Sequence, residues 1–340
     1  MIYDVVITPE AFEEIAKQVG PVDGLEALEQ LLFPPRIDYL NVLVSDPHAE
    51  HWWKDVESRV YRLPPQARDR ALSLLARIND VVLSHRTSSL KVPKSEDQWI
   101  RFSRRRENGH IDWIFASRAD PGGDASVVGT DKVRDLEWIR RSLPFQMSVS
   151  RSVDGQKRLL QKLCDHSDWC VAQLPYIKGG DSGDEIVTVK QLIRIACGSD
   201  RSTRPFALDL LCKPGDERKA IGIRDVLRSM SLSSERLVDV RVYWDEEALD
   251  RNFLAGTFQE MSDGTLRRRP RWLVAAQHVA VGKNGDGQKS TWTLRDRTDV
   301  EAEHHRLESL IRTIGKPAVH EVIPRSGDAA ASVPPNVARP

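Results

Sequence analysis

Apolar and polar positions along the chain alternate between strand-like and helix-like stretches, most regularly between Ser167 and Ala255. The run from Trp169 to Ile177 is rich in β-branched and aromatic residues, as a strand requires, and Pro175 with Gly179-Gly180 ends it in a loop. Beyond Glu185, the residues Ile186, Val189, Leu192, Ile193 and Ala196 recur at helical spacing, and Gly198 stands where a helix end favours a residue tolerant of positive φ. Phe206 to Cys212 is almost wholly apolar, the pattern of a strand covered on both faces, and Pro214-Gly215 stops it. Ile223, Val226, Leu227 and Met230 mark a second helix, and Val238 to Trp244 a third strand. Such alternation predicts a parallel sheet wound right-handedly, with ligands beyond the carboxyl ends of its strands. The segments to watch are Tyr176 to Asp184, Lys213 to Glu217 and Asp245 to Phe253.

The first half repeats this grammar. Tyr3 to Ile7 reads as a strand, and Thr8-Pro9-Glu10 supplies an N-cap, a first-turn proline and an early acid for the helix that buries Phe12, Ile15, Ala16 and Val19. Leu25, Leu28, Leu31 and Leu32 give a second helix, Tyr39 to Val44 a strand, Ala67 to Ile78 a further helix and Ile111 to Ala116 another strand. Leu136, Ile139 and Leu143 continue as an amphipathic helix. The polar segment Ser148 to Gly155 is the expected boundary, giving an N-terminal domain over 1–147, a second over 155–322 and a disordered tail over 323–340. Gly256 to Arg271 is expected as a polar loop, followed by a hairpin of Trp272 to Val281 with Ser290 to Leu294. The fold class expected is therefore α/β: two domains, each a mainly parallel sheet flanked by helices, the second closed by an antiparallel hairpin.

Composition adds bounds. The 340 residues carry 50 Lys+Arg against 50 Asp+Glu, so net charge alone makes no case for nucleic acid. The opening Met1-Ile2-Tyr3-Asp4 lacks a signal-peptide pattern and no apolar run approaches a membrane span, so a cytoplasmic protein without a membrane span is expected. Cys164, Cys170, Cys197 and Cys212 include no CxxC pair and read as buried thiols.

Candidate chemistry is sparse. His48, Glu50 and His51 follow a predicted strand but lack a further ligand pattern, so no metal and no cofactor is expected. Pro121-Gly122-Gly123-Asp124 has no following lysine-serine or lysine-threonine pair and is not a phosphate loop. Two basic runs, Arg104-Arg105-Arg106 and Arg267-Arg268-Arg269, suit a phosphate backbone, the first with Trp99 and Phe102 nearby for stacking; a solvated face is the competing reading.

Three segments carry a family resemblance: Trp169 to Ile177 with its Pro-Tyr-Ile turn, Leu210-Leu211 to Glu217 with its polar exit, and Leu249-Asp250-Arg251-Asn252-Phe253-Leu254. Together they make the second half resemble a phospholipase-D-like domain of the kind found at the C-terminus of MIT-domain proteins and in bacterial proteins encoded beside anti-phage defence systems. The active family uses a His-x-Lys-(x)4-Asp motif, in which histidine attacks phosphorus and lysine holds the equatorial oxygens. That motif is absent, and Leu249 stands where related segments place histidine ahead of Asp250 and Arg251. The resemblance thus implies a non-catalytic accessory or sensing subunit of a prokaryotic defence system, binding DNA, RNA or the other subunits of its complex. Two alternatives remain: a phosphodiesterase or nuclease with a degenerate site at Asp250, Arg251 and His278, and a protein-interaction scaffold. For Asp250 and Arg251 the non-functional expectation is a buried ion pair holding the hairpin.

Overall fold

The computed structural model describes residues 2–18, 23–34, 40–46, 49–81, 84–87, 93–104, 111–119, 125–135, 138, 146–150, 153–178, 184–198, 204–230, 236–248, 250–279 and 289–324. Two compact units divide the chain, Ile2–Pro144 and Phe145–Pro340.

The first unit is built on strands β1 (Tyr3–Ile7), β2 (Leu40–Asp46), β3 (Ser84–Thr87), β4 (Trp113–Ala116) and β5 (Val127–Gly129), hydrogen-bonded in the order β3-β2-β1-β4-β5. Every pairing is parallel. Helix α1 (Pro9–Lys17) leaves β1 directly, because the Thr8 hydroxyl accepts the Ala11 N–H at 3.1 Å and Pro9 tolerates the first turn. Helices α2 (Gly24–Leu32), α3 (Ala49–Val60), α4 (Pro65–Val81) and α5 (Glu96–Ser103) complete the unit. In α3, Trp52 is buried and its indole N–H donates to the Ile7 carbonyl at 2.8 Å, tying helix to strand.

Among the described residues the second unit has eight strands: β6 (Gln146–Ser150), β7 (Trp169–Gln173), β8 (Phe206–Cys212), β9 (Val238–Trp244), β10 (Asn252–Glu260), β11 (Leu266–Ala276), β12 (Lys289–Leu294) and β13 (Val319–Ile323). Their order is β13-β9-β8-β7-β10-β11-β12-β6. The three strands expected to be parallel are so, joined by α7 (Asp184–Cys197) and α8 (Glu217–Ser229). Every other pairing is antiparallel, so this sheet is mixed and not mainly parallel. Helix α6 (Val153–Asp165) precedes β7 and α9 (Arg297–Ile314) follows β12. Val300 and Leu307 of α9 pack on Trp169, Val171, Leu211, Leu254 and Leu273, which is the core on that face. All four cysteines are buried free thiols; burial pushes the Cys170 and Cys212 thiols up to about 12.

Several expectations change. Residues 256–271 are not a loop but most of a long hairpin, β10 with β11, turned at Gly264 with φ +79°. Asp263 Oδ1 accepts from the Thr265 N–H at 2.9 Å and its hydroxyl at 2.6 Å, which fixes the tip. The strands read as polar because they extend past the amino ends of the parallel strands, where residues 259–267 are exposed and only Phe258 reaches back to the core as an apolar side chain among the described residues. The segment expected as a boundary, 148–155, supplies the end of β6 and the start of α6. Of the helix expected over 133–143, residues 136–137 and 139–143 lie outside the described residues; Trp138 is helical, and Thr130–Arg134 before it is a short 3-10 turn. Residues 325–340, most of the expected tail, lie outside the described residues, and Ile323 belongs to β13.

Candidate functional site

The chemistry-bearing groups of the second unit gather at the two ends of its parallel strands. At the amino ends, the hairpin register shifts between Ala255 and Gly256: Ala255 opposes Trp272, whereas Gly256 opposes Pro270. The extra residue, Arg271, is a β-bulge, and it puts the side chains of β11 on its hairpin-tip side on the face opposite to the one an unbroken strand would give them. Arg268 is thereby aimed at the α9 face, where its Nη2 lies 2.6 Å from Asp209 Oδ2 and its guanidinium stacks 5.1 Å from the Trp169 ring centroid. Asp209, 1% exposed at the middle of β8, also takes Arg241 Nε at 2.8 Å as an ion pair. Burial works against the Arg241 charge, but Asp209 and Asp239 outweigh it and raise the guanidinium's pKa. Gly256 is required at the crossing, since a Cβ there would stand 2.0 Å from the Arg269 carbonyl oxygen and 2.8 Å from the Trp169 ring.

The arginine run therefore splits. Arg268 is spent on Asp209, while Arg267 and Arg269 are exposed on β11 with no ion-pair partner among the described residues. In the first unit, Arg104 is exposed at the end of α5, and Arg105 and Arg106 lie outside the described residues. Trp99 and Phe102 are buried and meet edge to face, so they are core, not stacking platforms. Their three-residue spacing on a helix was the signal for that.

At the carboxyl ends, β7 runs into Leu174-Pro175-Tyr176-Ile177, with Leu174 and Ile177 buried and Tyr176 49% exposed. Glu185, in the first turn of α7 and with a side chain 3% exposed, uses both oxygens here: Oε1 accepts Arg251 Nε at 3.0 Å and Oε2 the Tyr176 N–H at 2.6 Å. The expected Asp250–Arg251 pair is thus replaced, and Asp250 is exposed. The Arg251 guanidinium carbon and Lys213 Nζ lie 5.1 Å and 5.3 Å from the Tyr176 ring centroid. Beside them, Lys219 Nζ donates to the Lys213 carbonyl at 2.6 Å and sits 4.9 Å from the Trp244 ring centroid. His278 lies past β11, its N–H donating to Ser290 Oγ at 3.0 Å and its carbonyl accepting from the same hydroxyl at 2.6 Å. Leu249 lies outside the described residues. Tyr176, Lys213 and Glu185 were not singled out as site residues by the sequence, although two of the three segments marked there contain Tyr176 or Lys213.

The first unit treats its own carboxyl edge differently. At the switch point between β1 and β4, the Glu96 carboxylate accepts the Thr8 hydroxyl at 2.7 Å, the Ser117 N–H at 2.7 Å and the Ser117 hydroxyl. Beside it Arg59 is shared by Glu10, Glu13 and Asp55 at 2.7 Å, 3.0 Å and 2.9 Å. Burial lifts the Glu10 carboxyl above the usual range despite Arg59. His51 is exposed on α3, and Glu50 pairs with Lys54; His48 lies outside the described residues. Among the described residues no group of three or more His, Cys, Asp or Glu side chains is placed to hold a metal ion, and no helix is long and apolar enough to cross a membrane.

No family model matches this chain, and neither does any curated protein. Among solved structures the chain is similar to polyphosphate kinase from Porphyromonas gingivalis, with 11% identity and a TM-score of 0.33. The match covers 53% of this chain and 28% of the kinase, and at that score nothing about activity follows from it.

Proposed function

We propose that this protein is a binding subunit without catalysis of its own, which contacts the phosphate backbone of nucleic acid through Arg267 and Arg269. The observation that supports this is the divided arginine run: Arg268 is held by Asp209, which anchors the strand, while its two neighbours present unpaired guanidinium groups to solvent. Residues i and i+2 of a strand project on one face about 6.8 Å apart, close to the through-space separation of neighbouring phosphates along a nucleic-acid strand. Contacts of this type position a protein without reading sequence.

The resemblance of the second half to defence-associated phospholipase-D-like domains supports a place as an accessory or sensing subunit of a cytoplasmic anti-phage complex. The absence of a His-x-Lys-(x)4-Asp motif in the chain supports the non-catalytic reading.

Titration of duplex and single-stranded DNA and RNA at low salt, alongside a phosphodiester hydrolysis assay with and without magnesium, tests the proposal. Sequence-independent, salt-sensitive binding without turnover is expected. Turnover abolished by Asp250→Ala or His278→Ala makes the protein an enzyme instead, and no binding even at low salt removes the nucleic-acid reading and leaves an interaction scaffold.

A further inference from the structure

The carboxyl end of the second sheet holds an arrangement that the hairpin reading does not use. The turn after β7 is fixed on every side: the Leu174 N–H donates to the Leu211 carbonyl at 2.8 Å, the Lys213 N–H to the Pro175 carbonyl at 3.2 Å, and the Tyr176 N–H to Glu185 at 2.6 Å. Tyr176 is thus held outward by a rigid backbone between two buried neighbours. Glu185 spends one oxygen on Arg251 Nε and the other on backbone, so neither Nη group of Arg251 is used by it. Lys213 Nζ has no ion-pair partner among the described residues and lies over the same ring as Arg251. Two cations therefore approach one tyrosine ring, 5.1 Å and 5.3 Å from its centroid, and of the two only Arg251 has a carboxylate partner among the described residues, so the Lys213 charge is left over. The nearby acids Asp245 and Asp250 act on Arg306, which also pairs with Glu303 and whose pKa is raised by that hydrogen bond and those charges.

A small dianion fits this surplus. A phosphate monoester offers three acceptor oxygens and about −1.5 to −2 charge at neutral pH, and an Arg fork beside a Lys point charge is the pairing that recognises it. The site also lies where ligands of parallel sheets are found, outside the strand ends. We propose that Tyr176, Lys213 and Arg251, fixed by Glu185, bind a terminal phosphate monoester, with the tyrosine hydroxyl as a further donor. This site is separate from the hairpin and stands or falls without it.

Calorimetric titration of the full chain at low salt tests it with three probes: inorganic phosphate, adenosine 5′-monophosphate and adenosine. The two phosphates are expected to bind, more tightly at pH 7.5 than at pH 5.5 as the second proton leaves, and adenosine is not. Lys213→Gln removes no ion pair and should weaken phosphate binding about ten- to hundredfold, the worth of one hydrogen bond to a charged group. Arg251→Lys keeps the charge that faces Glu185 but loses the fork, and should weaken it as well. A 5′-phosphorylated oligonucleotide that outbinds its 5′-hydroxyl form by the Lys213-dependent factor identifies a strand end as the source; equal binding of inorganic phosphate and the nucleotide identifies the free anion. Adenosine binding as well as its monophosphate, phosphate affinity unchanged by Lys213→Gln, or no phosphate binding at all overturns the proposal.

Discussion

The two ends of the parallel strands in the second unit use the same side chain, arginine, to opposite effect. At the amino ends, Arg236 has no exposed side-chain surface and gives its three nitrogens to the carbonyls of Arg204, Cys164 and Ser167 at 2.9 Å, 3.2 Å and 3.1 Å. Arg268 is spent on Asp209. At the carboxyl ends, Arg251 commits only Nε, and Lys213 commits nothing beyond an aromatic ring. What separates an arginine that stabilises the fold from one able to bind is the number of donors that internal acceptors leave over, and this can be judged only once the partners, 66 residues apart for Glu185 and Arg251, are brought together. Burial makes the first kind costly to remove, and Arg251 shares that cost through its buried partner Glu185, whereas Lys213, with no ion-pair partner among the described residues, is nearly free of consequence for stability.

The largest effect is expected at Arg236. Arg236→Met leaves three carbonyls without their donor and takes from Asp168 one of its two cations, Arg204 remaining at 3.5 Å; it should cost about 3–5 kcal/mol, read as a fall in the chemical-denaturation midpoint. A loss of less than about 1 kcal/mol would show that its three hydrogen bonds are not the clamp described. Next comes Gly256→Ala, where the added methyl meets the Arg269 carbonyl and the Trp169 ring; overpacking of this kind costs about 1–3 kcal/mol, and an unchanged melting temperature would mean that the hairpin crosses β7 less closely. By contrast, Lys213→Gln should move stability by no more than about 0.5 kcal/mol, as surface substitutions do.

A smaller effect is one of pH. Burial, with Arg268, His305 and Arg267 adding to it against the opposing pull of Glu308, holds the His304 pKa below its ordinary value of 6.5. The unfolded chain then takes up this proton before the folded one does. Stability from this group is complete above pH 6.5 and is lost as pH falls through the lower folded value. Melting curves from pH 7.5 to pH 5 should therefore fall less steeply for His304→Phe than for the wild type; parallel curves would place the titration elsewhere.

Sequence patterning revealed most of the core. The alternation from Trp169 to Trp244 set the three parallel strands and their helices because both faces of those strands are covered and leave nearly continuous apolar runs. It failed where strands lack a core. β10 and β11 overhang the sheet, so their polar residues mimic a loop, and β6 and β13 are edge strands with mixed exposure. The candidate site was legible only by position: the carboxyl-end segments were marked, but Asp250 was paired with Arg251 by proximity in the chain, whereas α7 brings Glu185 there instead. The split of the arginine run was hidden for a similar reason, since one bulge at Arg271 decides which guanidinium faces inward.

That split is tested most directly by the salt dependence of nucleic-acid affinity, measured with the two outer arginines altered together and Arg268 altered alone. Each phosphate contact contributes about 0.9 to the logarithmic slope on duplex DNA, so Arg267→Gln with Arg269→Gln should lower the slope by about 1.8 and leave the melting temperature unchanged. Arg268→Gln should do the reverse, destabilising the fold by about 3 kcal/mol as Asp209 loses a partner, with the slope intact. A slope that responds to Arg268 as strongly as to its neighbours, or to none of the three, would contradict the division of the run into one anchor and two contacts.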